Sequence, residues 1–569
     1  MDYSKLVKTY EYLEKTSARL AKIDEIGKLL KGTDTENLPN IVLLLQGKVF
    51  PTWDNREIGI ANLLMINIIH IATGYSKDEI KKKFNKIGDF GLIIEKMMEK
   101  KKQQTLFQKK LTIEKVFSNL QKLAGITGTG SQERKFSLVS ELLSSAKPKE
   151  AKYIVRTVIG DLRIGVAAGV IRDSIAKAYL PKIEKKDAVK AVEWAWFLRP
   201  DYGEVALIAK ENGMKGLKGV GLKLGEPYHV LLADRSPSLE DALNKFENCV
   251  LEYKYDGARI IIQRDGNRVW LFTRSLENIT IQFPELVEWA KKALKPKKCI
   301  VEGEMLAIDK KTGKPMPFQM LSQRIKRKYD IEKIAKNIPI QVNLFDITYL
   351  DGKSLFKVLL RDRWELLKKS VRPIQKKLQL AKHIITKDLK IADSFYKEAL
   401  AASQEGLIIK NMDAKYQPGR RVGYWLKVKP IMETLDLAII GAIWGTGKRA
   451  GWMGSYILGC KDARTGKFLE CGMIGTGIKE KSKEGVSFKD LTKLLKPLII
   501  DEDNDRIEIK PKIVMEVAYE EIQKSVNYDS GYALRFPRVV RMRNLDKKIE
   551  QCDTINKLKH LYNIQKGKK

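Results

Sequence analysis

The chain has 569 residues, enough for about three or four separately cored units, and its 106 Lys and Arg against 70 Asp and Glu leave a net charge of +36. An excess of that size points to a polyanionic partner, although a lysine-rich or solubility-driven composition gives the same sum, and charge alone assigns no function. Cys249, Cys299, Cys460, Cys471 and Cys552 form no Cys-x-x-Cys pair and there are only four histidines, which argues against a structural zinc site and a secreted disulfide framework.

From the start to about residue 208 the apolar residues recur at three and four, as in Leu6, Tyr10 and Leu13 and then Ile23, Ile26, Leu29 and Leu30, so this part is predicted to be all helix. The most apolar stretch, Ile58 to Ala72, is broken by Asn62, Asn67 and His70 and is shorter than the ~18 residues of a membrane span, so it reads as a buried helix. Met1 to Lys5 carry no basic-then-apolar signal pattern, and a cytoplasmic protein is expected. Gly213, Gly216, Gly219, Gly221 and Gly225 are too dense for a helix interior, and a first domain boundary is placed there.

Beyond it, short β-rich runs such as Arg259 to Gln263 and Ile338 to Phe345 alternate with helical pieces such as Arg361 to Ser370. Lys429-Pro430 breaks the chain again, and the short strands Leu437 to Gly441, Ser455 to Gly459 and Ile513 to Val517 follow, a spacing that suits a small OB-type barrel. The expected domains are thus 1–215, 216–430 and 431–569.

The centre of interest is Glu252-Tyr-Lys254-Tyr-Asp256-Gly257-Ala-Arg259, set between an apolar run and a strand. A lysine amine with a reference pKa near 10.4 is unprotonated in only about one molecule in a thousand at pH 7.4, a handicap of roughly 4 kcal/mol for a nucleophile. Neighbouring cations or a bound metal lower that pKa. On its own Lys-x-Asp-Gly is weak, and a β-turn at Asp-Gly explains it equally.

The motif has company in a fixed order: Thr273-Arg274-Ser275, Val301-Glu302-Gly303-Glu304, Leu344-Phe345-Asp346, Glu405 to Lys410, Trp425-Leu-Lys427-Val-Lys429, and Arg535-Phe-Pro-Arg538-Val-Val-Arg541-Met-Arg543. This series resembles the motifs of covalent nucleotidyltransferases and specifically of ATP-dependent DNA ligases of the archaeal and eukaryotic replicative type. In the helical part, Gly128-Thr-Gly130-Ser131 and Asp161-Leu-Arg163-Ile-Gly165 look like the DNA-binding domain of those enzymes. The resemblance implies an all-α DNA-binding domain, an α+β nucleotidyltransferase (adenylation) domain and an all-β OB-fold barrel, acting on nicked double-stranded DNA with ATP and magnesium, or manganese in its place.

By the same resemblance Lys254 becomes covalently adenylylated, Glu252 accepts from the adenine amino group and Phe345 stacks on the base. Arg259 and Arg274 touch ribose and phosphate, Glu304 meets the ribose, and Glu304 and Glu405 supply oxygen to the metal. Arg421, Lys427 and Lys429 neutralise the α-phosphate. Arg541, within the Arg535 to Arg543 series, either orders the pyrophosphate or belongs to a DNA-contacting patch. Gly128, Gly130, Ser131, Arg163 and Gly165 contact DNA. Gln103, Leu106 and Phe107 resemble the box by which archaeal ligases dock on the sliding clamp PCNA. A monomer that wraps DNA, with no membrane association, is the expected form.

Two departures from the family pattern stand out. Asn544-Leu545 makes the segment before Asp546-Lys547 one residue longer than expected, which leaves the roles of those two open, and Glu302 stands where aspartate is more usual. Gly445-Thr-Gly447-Lys448-Arg449 lacks P-loop spacing and reads as a barrel loop. A capping guanylyltransferase or RNA ligase, and a non-catalytic clamp-bound tether, are the alternatives to be separated by experiment.

Overall fold

The computed structural model describes residues 1–100, 110–126, 128, 130–327, 329–430, 433–445, 449, 451–480, 486–503, 505–543 and 546–565. The clamp-docking box at Gln103, Leu106 and Phe107 and the extra Asn544-Leu545 lie outside these residues. The chain forms two compact units, one from 1–389 with 408–427, the other from 390–407 with 428–569.

In the first unit the residues up to Gly219 are helical, as the periodicity predicts. Leu6, Tyr10 and Leu13 of the helix Tyr3–Lys15 and Ile23, Ile26 and Leu30 of Arg19–Lys31 bury their side chains in one shared core. The Tyr10 hydroxyl donates to the Leu44 carbonyl at 2.9 Å, so even the polar tip of that core aromatic is satisfied. The apolar stretch at 58–72 is less uniform than expected. Its helix starts only at Asn62 (Asn62–Thr73), and while Met65, Ile66, Ile68 and Ile69 are buried, Leu63 and Ile71 face solvent. No helix among the described residues is long and apolar enough to cross a membrane. All five cysteines are buried free thiols.

The glycine-rich segment also departs from expectation. The helix Tyr202–Gly219 runs through Gly216, with a break at Gly213, whose φ of 55° and ψ of −143° suit only glycine. A Cβ on Gly216 would come within 2.4 Å of the Asn212 Cβ, so here glycine permits tight packing instead of ending the helix.

Two sheets follow in the first unit. Their strands are β1 (Leu232–Arg235), β2 (Cys249–Tyr253), β3 (Ala258–Asp265), β4 (Arg268–Thr273), β5 (Lys298–Ala307), β6 (Ile340–Leu350), β7 (Lys353–Ser354), β8 (Leu378–Leu380), β9 (His383–Ile385), β10 (Leu407–Asn411) and β11 (Arg421–Val428). One sheet has the order β1-β11-β10-β2-β9, the other β4-β3-β5-β6-β7 with β8 parallel to β6. The helix Leu360–Ser370 matches the predicted 361–370. Nearly continuous burial of β2 and β6 reflects strands covered on both faces.

The second unit is strand-rich: β12 (Leu435–Trp444), β13 (Met453–Lys461), β14 (Phe468–Ile474), β15 (Ile499–Asp503), β16 (Arg506–Ile509), β17 (Val514–Ala518), β18 (Glu521–Lys524), β19 (Tyr532–Arg535) and β20 (Arg538–Met542). The main sheet runs β14-β13-β12-β16-β15, with β17 bridging β12 and β20. Thr476 and Arg538 make an isolated bridge, and among the described residues no continuous ladder joins β14 to β20 to close the sheet.

Candidate active site

The two sheets of the first unit are joined by a strap of four residues, Lys254 to Gly257, between β2 and β3. Lys254 is the first residue of that strap and is partly buried. Gly257 owes its place to close packing: a Cβ there would fall 2.4 Å from the Met305 carbonyl oxygen and 2.8 Å from Leu306 Cδ2. The motif glycine therefore lets β3 pair with β5, where Ala258 faces Met305 and Arg259 faces Glu304.

From the first sheet, β2 contributes Glu252, β10 Lys410 and β11 Trp425. Lys410 Nζ lies 2.6 Å from Glu252 Oε2. Both are buried, and burial acts on each toward neutrality, raising the Glu252 carboxyl and lowering the Lys410 amine despite their mutual attraction. The Lys410 ammonium also lies 4.2 Å from the centroid of Phe345 on β6 and 4.3 Å from that of Trp425. These two rings meet edge to face at 5.9 Å and 87°.

From the second sheet, Arg259 reaches the same rings, its guanidinium carbon 5.1 Å from Phe345 and 5.0 Å from Trp425. Its Nη1 donates to the Leu231 carbonyl at 2.8 Å, and its Nη2 pairs with Glu302. Burial opposes the Arg259 charge, but the adjoining Glu302 carboxylate more than offsets this and holds its pKa above the usual arginine value. Glu302, fully buried, also accepts from the hydroxyls of Tyr228 and Tyr416, the latter at 2.6 Å. Asp346 accepts both arms of Arg363 at 2.8 and 2.9 Å, fixing the strand beside Phe345.

Arg274 has its pKa lowered first by burial and then by Arg259 and Arg421, with Glu304 acting the other way. Arg274 thus feels the charges of two other guanidinium groups and one carboxylate, a set of charges suited to a phosphate chain. Of the residues assigned from sequence, Glu252 and Phe345 meet through Lys410, Arg259 lies over Phe345 and faces Glu304 across β3 and β5, and Lys254 begins the strap that follows β2. Lys427 ends this set on β11, its carbonyl accepting from Ser236 N at 3.0 Å.

Comparison with known proteins identifies the family. Residues 230–429 match the family described as ATP dependent DNA ligase domain, 2–176 match DNA ligase N terminus, and 449–547 match ATP dependent DNA ligase C terminal region. The chain belongs to the ATP-dependent DNA ligase family. It is 45% identical over 570 residues to the DNA ligase of Nanoarchaeum equitans, covering 100% of this chain and 99% of that one. It is 42% identical to the DNA ligase of Thermococcus fumicolans, covering 99% of each. The fold is also similar to the solved structure named "Pmar-Lig_PreS3", with a TM-score of 0.57 and 18% identity over 95% of this chain and 99% of that one.

The remaining expected ligase residues are placed as follows. Glu405 and Lys429 fall in the second unit, where their side chains pair at 2.5 Å, with Glu520 3.6 Å from the same amine. Arg541 on β20 faces Glu516 on β17 and donates to it at 2.7 Å. Arg543 and Lys547 both reach Asp436, and Asp546 accepts from Arg543 Nε at 3.0 Å. Asp546 and Lys547 thus belong to a surface ion network of the strand-rich unit.

In the helical region of the ligase, Gly128 and Gly130 take φ of 80° and 70° and lead into the helix Ser131–Ser145, whose first amide, that of Ser131, donates to the Gly128 carbonyl at 3.2 Å. Arg163 is occupied within the protein: it donates to Asp161 at 2.6 Å, to the Gly88 carbonyl at 2.7 Å and to Asp89 at 3.4 Å. Gly165 accepts from Lys22 Nζ at 3.0 Å, and a Cβ there would strike that amine at 2.6 Å. Asp161, Arg163 and Gly165 therefore shape a loop, with φ of 57° at Arg163 and 63° at Gly165. Sequence reasoning assigned no role to Lys410, Trp425, Tyr228 or Tyr416. The first two lie inside motifs it singled out, but only the sheet pairing reveals their partners.

Proposed function

We propose that Lys254 is the residue adenylylated by ATP and that the seam between the two sheets is the nucleotide pocket. The observation that carries this reading is the convergence of Glu252, Arg259, Arg274, Glu304 and Phe345 around the strap that bears Lys254. In the first step the unprotonated Lys254 Nζ attacks the α-phosphorus. An N–P bond forms, the bond to the bridging oxygen of the β-phosphate breaks, and pyrophosphate leaves. AMP then passes to the 5′-phosphate of a nick, and attack by the 3′-hydroxyl seals the strand and releases AMP.

Each residue has a physical task. Glu252 accepts from the adenine amino group, Phe345 offers its ring to the base, and Glu304 meets the ribose. Arg259, Arg274, Arg421, Lys427 and Lys429 counter charge on ribose-linked phosphate oxygens. Glu304 and Glu405 each carry carboxylate oxygens of the hard kind that magnesium or manganese takes, and such an ion would polarise the phosphate when bound. Arg541 serves pyrophosphate ordering in the first step.

We further read 1–215 as the DNA-binding domain, 216–430 as the adenylation domain and 431–569 as an OB barrel. Gly128, Gly130, Ser131, Arg163 and Gly165 act at the DNA backbone, Arg163 and Gly165 by shaping their loop. The box at Gln103, Leu106 and Phe107 engages a sliding clamp, and the protein works as a monomer. Support for the barrel comes from the Thr476–Arg538 bridge beside the β12-β13-β14 ladder.

The test is retention of label on the denatured protein after incubation with labelled ATP or GTP and magnesium, followed by nicked duplex DNA. Label from ATP that is absent in Lys254→Ala and discharged by the nick is the expected result. Label from GTP alone would indicate capping chemistry, and no label a tether.

A further inference from the structure

The last helix but one of the helical region, Lys185–Leu198, lies against the segment that leads into β11. Three contacts define the grip. Glu193 pairs with Arg420, the residue before Arg421, and is itself braced by Arg172 at 2.5 Å. Trp194 meets the Phe356 ring edge-on at 6.3 Å and 84°, and Phe356 stacks on Tyr416 at 4.9 Å and 12°. Phe197 packs on Gly419 so closely that a Cβ there would come 2.2 Å from its ring.

Each contact continues into the pocket. Tyr416 donates to Glu302 at 2.6 Å, and Glu302 pairs with Arg259, whose guanidinium lies over Phe345 and Trp425. The Leu231 amide donates to the Tyr416 hydroxyl at 2.9 Å while the Leu231 carbonyl accepts from Arg259 at 2.8 Å, so phenol and guanidinium are held by one residue. Gly419, Arg420 and Arg421 are consecutive, so the position of Arg421 follows from what holds its two predecessors.

We propose that this helix is a positioning element for the nucleotide pocket, with Glu193 and Trp194 as positioning residues that set Arg421 and, through Tyr416 and Glu302, Arg259. The helical region then serves the adenylylation step itself, before any DNA is present. The inference rests on the assignment of that pocket to ATP.

The test uses the full chain, without DNA, and follows label transfer from ATP over a range of ATP concentrations. Glu193→Gln and Trp194→Leu should raise the ATP concentration that half-saturates the labelling rate about fivefold or more, with the limiting single-turnover rate changed by no more than about twofold, and Glu193→Asp should recover most of the loss. Arg420→Gln should reproduce Glu193→Gln without altering the helix, and thermal melts establish that each variant is folded. An unchanged half-saturating ATP concentration in folded variants, with only nicked-duplex affinity or melting temperature lowered, overturns the proposal while leaving the pocket assignment intact. Failure of the wild-type chain to take label overturns the pocket assignment instead.

Discussion

Lys410 and Glu252 form an ion pair whose two members expose 2% and 5% of their side chains. Removal of one partner from such a pair leaves an uncompensated buried charge, so Lys410→Met is expected to cost about 3–5 kcal/mol, whereas pairing it with Glu252→Gln should recover most of that. Chemical denaturation of the two single variants and the double variant checks this, and equal losses in all three would refute the coupling.

Gly257→Ala should be harmful for a reason unrelated to turn formation. The added methyl meets the Met305 carbonyl, so β3 and β5 must part, at about 1–3 kcal/mol. Displacing the strap by a fraction of an ångström to an ångström should slow label transfer to Lys254 by roughly a hundredfold. Normal transfer rates in the alanine variant would show that the strap tolerates the shift.

The pH dependence of stability should carry a signature of His229. Its ring packs against Trp196 at 4.2 Å and Phe197 at 5.8 Å, and burial pushes its pKa down to about 4. An unfolded histidine titrates near ~6.5, so between ~6.5 and ~4 the unfolded chain binds a proton that the folded chain refuses. This contribution is fully present above ~6.5 and is lost as pH falls toward ~4, by up to about 3 kcal/mol. Comparison of melting midpoints against pH for the wild type and His229→Phe isolates it. Parallel curves would exclude the effect.

Binding of nicked duplex should weaken steeply with salt. Each phosphate contact contributes a slope of about 0.9 in log affinity against log salt concentration. Alanine at Lys254 should leave that slope unchanged, because its amine is assigned to ATP and not to the DNA backbone. A shallower slope in that variant would contradict the assignment.

The contiguous part of the site was readable because its chemistry is local. Glu252, Lys254 and Arg259 lie within eight residues, and the ordered motifs that follow them single out Lys254. Long-range partners were not readable. Nothing in the spacing couples Glu252 to Lys410, which depends on β2 lying beside β10, or Tyr228 and Tyr416 to Glu302, which sits on β5 of the other sheet, and no local pattern encodes either placement. The substitution of Glu302 for the more usual aspartate was noted as a departure, yet the extra methylene has a visible setting, a carboxylate reaching two phenols and Arg259 at once. The glycine cluster misled in the opposite way. Glycine density suggested that no helix runs through this segment, whereas Gly216 and Gly219 lie in the helix Tyr202–Gly219 and within it only Gly213 departs from helical geometry. For Arg163 the family pattern gave the position, while the fold gave the reason, a guanidinium consumed in tying one loop to another.

The four-residue strap belongs to neither sheet, yet it is anchored in both. Small sliding of one sheet over the other is shared between Lys254 to Gly257 and the two-residue link Ala381-Lys382 between β8 and β9, so the amine moves with it like the pointer of a gauge. A ligand that draws the sheets together would adjust the nucleophile's aim without touching it, and a nucleotide base too large or too small for the seam would leave that aim off target.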